Sequence, residues 1–127
     1  MISVDTTSAI SPVEQIRSQL AALIRAGQLS ADARLPSVRQ LAADLRVSAG
    51  SVAKAYKELE SAGLIRTARA AGTRVNPGHA TTKPLIQAAE NLAHHAINEG
   101  LSLTEAQGLL AHAWAQSHPA APSITEA

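Results

Sequence analysis

The sequence has no cysteine and no phenylalanine, and Tyr56 and Trp114 are its only tyrosine and tryptophan. Without cysteine there is no disulfide framework and no thiolate zinc site, which fits a reducing compartment. Without phenylalanine, a core must be built from Leu, Ile, Val and many Ala side chains, the composition of closely packed helices. At 127 residues the chain has room for one ordinary domain, or a small domain with an appendage. Long apolar runs are also lacking. None approaches the ~18 residues needed to span a membrane, and the opening MISVDTTSAISPVEQ has neither the basic nor the apolar region of a secretion signal. These absences predict a cytoplasmic, mainly α-helical protein.

After Lys83 there is no further Lys or Arg, while Glu90, Glu99, Glu105 and Glu126 follow. From Arg34 to Arg74 the balance is reversed: eight basic residues stand against Asp44, Glu58 and Glu60. A basic segment displaces counterions from phosphates and an acidic one does not. A polyanion-binding module followed by a part with a different task is therefore expected, although taken alone the pattern also fits ordinary surface charge.

Helix signals divide the chain. Ser11, Pro12 and Glu14 form a capping box with proline in the first helical position, and Val13, Ile16, Leu20, Leu23 and Ile24 recur at helical steps up to Gly27. The same device recurs at Ser37 and Gln40, opening a short helix with Val38, Leu41, Ala42 and Leu45 on one face. After the tight Arg46-Val47 link, Ser48 caps a third helix with Val52, Ala55, Tyr56 and Leu59 inward and Gly63 as its stop. The period then changes. Leu64 and Ile65 open an extended run, Ala70-Ala71-Gly72 turns it, and Thr73 to Val75 return it as a hairpin. A helix-turn-helix followed by a hairpin is a winged helix. Two further helices are predicted beyond Pro84, the second capped by the Ser102/Glu105 box.

The stretch LPSVRQLAADLRVSAGSVAKAYKELESAGLIRTARAAGTRV resembles the DNA-binding domain of the GntR family of transcription regulators. The resemblance rests on Leu35-Pro36-Ser37 with Arg39, Leu41-Ala42, Leu45, Val47-Ser48, Val52, Ala55-Tyr56, Leu59, Gly63-Leu64-Ile65, and Gly72-Thr73 with Val75. The short tail, with its GLSLTEAQGLL segment and Trp114, is similar to the YtrA-like subfamily, whose tails pair into dimers. The resemblance implies a winged helix-turn-helix DNA-binding domain over residues 10–77, a two-helix dimerisation tail over 82–118, and flexible ends at 1–9 and 119–127. It also implies a homodimer on an inverted-repeat, double-stranded DNA operator, acting as a repressor.

Where the family usually has Arg, any residue and Thr after Val-Ser, this chain has Ala49, Gly50 and Ser51. An arginine bidentate to guanine is worth ~1–3 kcal/mol of discrimination, so its loss requires another mode of contact. A helix start without bulky side chains lets the backbone approach DNA, where free N–H groups and the helix dipole favour a phosphate. The expected DNA-binding residues are Ser37, Arg39, Ser48, Ala49, Gly50, Ser51 and Lys54, with Arg69, Gly72, Thr73 and Arg74 on the wing. Lys54 lies about 200° around the helix from Val52 and faces outward, whereas Tyr56 turns into the core. Ala70 replaces the family's first wing glycine, and Arg74 stands where an aromatic residue is common.

In the tail, Leu85, Ala89, Leu92 and Ala96, with Leu103, Leu110 and Trp114, are the expected dimerisation residues. No membrane partner, cofactor or metal is expected. Adjacent His94 and His95 point about 100° apart on a helix, and His112 falls opposite its apolar stripe, so exposure explains them better than a metal ion. No nucleophile–base pair or phosphate loop is present in the sequence, which argues against an enzyme. No sensing domain is apparent, so a small-molecule effector would have to use the tail, the dimer interface or the gap between modules. The alternative is a protein-interaction adaptor that uses the winged helix as a docking surface.

Overall fold

The computed structural model describes residues 1–118, so the segment 119–127, expected as a flexible end, lies outside the described residues. The chain forms two compact units, Met1–Thr81 and a second that begins at Thr82. The first holds α1 (Pro12–Arg25), α2 (Val38–Leu45), α3 (Ala49–Ser61), β1 (Ile65–Ala68) and β2 (Gly72–Val75); the second holds α4 (Lys83–Asn98) and α5 (Leu103–Ser117). This is the predicted order: a mainly α protein with one small antiparallel hairpin.

The core of the first unit follows the apolar periodicity. Ile16, Leu20 and Ile24 of α1 meet Val52, Ala55, Tyr56 and Leu59 of α3, with Leu41 and Ala42 of α2, and Leu35, Ile65 and Val75 closing the sheet side. Complete burial of a side chain such as Leu20 contributes about 1.5–3 kcal/mol, so α1 and α3 form the stiff pair on which the smaller elements sit. Each of the first three helices opens on a serine whose hydroxyl accepts the N–H three residues on: Glu14 at Ser11, Gln40 at Ser37 and Ser51 at Ser48. The predicted capping box at Ser11 is only half made, because the Glu14 carboxylate turns to Arg17 instead of to the Ser11 N–H. Gln40 likewise spends its side chain on Asp44.

Two features go beyond the sequence pattern. The segment before α2 adds to the sheet: Asp32 and Leu35 donate their N–H groups to Val75 and Thr73, and Val75 donates back to Ala33, so β2 is flanked on both sides. The first nine residues, expected as a loose end, lie along α1. Gln19 bonds both the N–H and the carbonyl of Ser3, Gln15 does the same with Asp5, and Ile2 and Val4 pack on the core.

In the second unit, α4 and α5 form a hairpin whose buried positions are Ala96 and Ala106. At Ser102 the capping box is complete, with Ser102 and Glu105 each bonding the other's backbone N–H. No helix among the described residues is long and apolar enough to cross a membrane.

Candidate nucleic-acid interface

The junction between α2 and α3 is held tight by an unusual backbone. Arg46 caps α2 in the left-handed conformation at φ 58°, and the Val47 N–H bonds back to Ala42. A non-glycine residue there costs roughly 1–2 kcal/mol, which the packing of α2 on α3 must offset. The result is that α3 starts abruptly at the surface. Ser48, Ala49 and Gly50 are exposed and Ser51 is half-buried. The Ser48 hydroxyl accepts from the Ser51 N–H at 3.1 Å and lies 3.0 Å from the Ser51 hydroxyl. The two hydroxyls engage each other, so α3 presents a capped but sterically bare first turn.

Gly50 sharpens this point. A Cβ built there meets nothing closer than the Ser48 Oγ at 3.9 Å. Nothing inside the molecule needs glycine at this position, although glycine in a helix costs up to ~1 kcal/mol relative to alanine.

The same unit carries exposed cations with no acidic partner among the described residues. Arg39 and Lys54 are exposed on α2 and α3, and Arg69 is exposed in the hairpin turn. The salt bridges found link Arg17 to Glu14 and Arg66 to Asp32, and neither includes these residues. Ser37 is also exposed, its hydroxyl occupied by the Gln40 N–H at 3.1 Å.

On the wing, the Arg74 guanidinium donates from Nε to the Ala71 carbonyl at 3.1 Å and from Nη1 to the Asp32 carbonyl at 2.9 Å. The cause is register: Arg74 sits in mid-strand, opposite Arg66 on one side and Arg34 on the other, and its long side chain reaches one carbonyl in the hairpin turn and one in the segment before α2. Thr73 is half-buried with its hydroxyl 3.4 Å from that of Thr67, and Gly72 takes φ 75° at the start of β2. The sequence reading overlooked Arg34, whose side chain lies across Gly72. The signal available was only that residues 32–35 precede the α2 cap, which does not reveal their pairing with β2.

In the tail, a cleft of about 310 Å³ is bordered by Leu85, Ala89, Leu92, Leu103, Ala106 and Leu110. Leu103 is 74% exposed and Trp114 66%. Ala96, assigned by sequence to the same face, is buried. His94, His95 and His112 are exposed.

Comparison with known proteins bears on both units. Residues 12–75 match the model of the family described as bacterial regulatory proteins, gntR family. The HTH-type transcriptional regulator Rv1152 of Mycobacterium tuberculosis is 36% identical over 111 residues, 87% of this chain and 92% of that protein. The HTH-type transcriptional repressor YtrA of Bacillus subtilis is 40% identical over 82 residues, 65% of this chain and 63% of its own length. Among solved structures, YtrA from Sulfolobus acidocaldarius, a GntR-family transcription factor, superposes with a TM-score of 0.57 at 29% identity, covering 74% of this chain and 97% of that one.

Proposed function

This chain belongs to the GntR family of bacterial regulatory proteins, and on that footing we propose that it is a homodimeric repressor reading an inverted-repeat operator. That it is a DNA-binding transcription regulator of YtrA-like type follows from the family and its relatives. The observation that carries the finer reading is the bare first turn of α3, with exposed Ala49 and Gly50, on a unit whose exposed Arg39, Lys54 and Arg69 have no acidic partner among the described residues. Close backbone approach suits phosphate binding at a helix N-terminus, and Ala49 offers an apolar contact to a thymine methyl. The cations add the counterion release on which DNA affinity depends.

Pairing through the tail is supported by the apolar side chains left on α4 and α5, since monomers rarely expose contiguous apolar patches of this kind. A two-fold axis would set the two α3 helices in successive major grooves about 34 Å apart, which requires an inverted repeat. Repression is favoured by the likeness to a relative named as a repressor. Selection of sites from a random DNA pool, followed by titration of the winning site across salt, tests the reading. An enriched inverted repeat with a steep salt slope supports it. Weak, sequence-indifferent binding would replace it with the adaptor reading, in which the winged helix docks on protein.

A further inference from the structure

We infer that Arg34, a residue outside α3 and outside the hairpin, is a phosphate contact beside the wing, with room for its side chain left by Gly72. This rests on the DNA-binding reading and extends it to the outer face of the sheet.

The argument begins with register. Arg66 pairs with Arg74 across the hairpin, and Arg34 pairs with Arg74 from the other side, so three arginines stand abreast. Side chains directly opposite one another in antiparallel strands share a face. The other face carries Leu35, Ile65 and Val75 and is buried against the helices, so the arginine rank looks outward. Like charges placed opposite one another destabilise a sheet, and among the described residues one carboxylate, Asp32, answers them. Asp32 takes Arg66, whose guanidinium also bonds the Val75 carbonyl and the Asn76 side chain. Arg74 is committed to the Ala71 and Asp32 carbonyls. Arg34 has no hydrogen-bond partner among the described residues and is exposed.

Gly72 leaves room for that free guanidinium. A Cβ on Gly72 would stand 2.9 Å from the Arg34 Nε and 3.2 Å from its Cζ. The bare Cα therefore lets the Arg34 side chain run along the strand toward the hairpin turn that carries the exposed Arg69. Arg66 and Arg74 tie the three strand segments together, and Arg34 is the member of the rank with donors to spare. A planar guanidinium with free donors on an outward cationic face suits the oxygens of a DNA backbone. It is expected to add affinity without reading bases.

The test compares wild type, Arg34→Gln, which keeps a stem over Gly72 but no charge, and Arg34→Lys. Fluorescence anisotropy across a salt series would be measured on the selected operator and on a random duplex of equal length. Arg34→Gln is expected to bind both DNAs several-fold more weakly, with the slope of log K against log salt shallower by about 0.9 per contact removed. Arg34→Lys is expected to keep the wild-type slope. Wild-type affinity and slope for Arg34→Gln, with Arg39→Ala impaired, would overturn the assignment while leaving the DNA-binding reading intact. A slope lost equally in Arg34→Lys and Arg34→Gln would also overturn it. Wild-type protein that binds neither duplex would overturn both readings.

Discussion

The Tyr56 hydroxyl donates a 2.8 Å hydrogen bond to the carbonyl of Pro36, joining the middle of α3 to the residue just before the cap of α2. Tyr56 is otherwise core, only 6% exposed. The bond therefore fixes the spacing of the two helices that present Arg39 and the bare turn. Tyr56→Phe keeps the ring and removes the donor, so unfolding in urea should show a loss of about 1 kcal/mol.

Burial pushes the Tyr56 hydroxyl up to about 12, against an unfolded value near 10. Because the folded state holds the proton more tightly, this contribution is fully present below pH ~10 and is lost as pH rises through about 12. The stability advantage of wild type over Tyr56→Phe should shrink across that window. A difference that stays constant in alkaline denaturation curves would show that the hydroxyl is not protected as described.

Gly50→Ala should move stability and binding in opposite directions. Open space around the missing Cβ predicts a gain of up to about 1 kcal/mol in thermal or urea unfolding. If bare backbone is what meets the groove, operator affinity should fall in the same variant, as read by anisotropy. Gains in both would place Gly50 away from DNA.

Gly72→Ala should cost roughly 1–3 kcal/mol, because its φ of 75° disfavours any Cβ and the Arg34 side chain occupies the space. Adding Arg34→Ala should recover the steric part and leave the backbone part. Equal losses in the single and double variants would mean that the contact adds nothing to the strain.

If the tail pairs through this cleft as proposed, wild type should sediment as a dimer and Leu110→Glu as a monomer, since the carboxylate would then lie buried and unpaired. Trp114, the only tryptophan, reports independently. Its emission should shift to the blue with rising wild-type concentration as its exposed ring is covered, and should not shift in Leu110→Glu.

The apolar repeat of Ile16, Leu20 and Ile24, the serine caps and Gly63 made α1, α2 and α3 legible, because each depends on neighbours within a few residues. The hairpin was equally plain in its turn residues, Ala70 to Gly72. Less legible was how far a capping pattern is honoured: Ser102/Glu105 closes both bonds, whereas Glu14 is taken by Arg17. Two acceptable partners competed for one carboxylate, and spacing alone does not rank them.

By itself the sequence determined the class of the protein: its helix order, its cationic middle and acidic tail, and the small residues at the start of α3. Tertiary structure decided which cations remain free. Arg74, expected from its place on the wing to contact DNA, has its guanidinium bonded to the Ala71 and Asp32 carbonyls, while Arg34, 40 residues away, has no hydrogen-bond partner among the described residues. The physical reason is that pairing across β2 joins segments distant in the chain, so the partners of a long cationic side chain depend on register, which no local pattern contains.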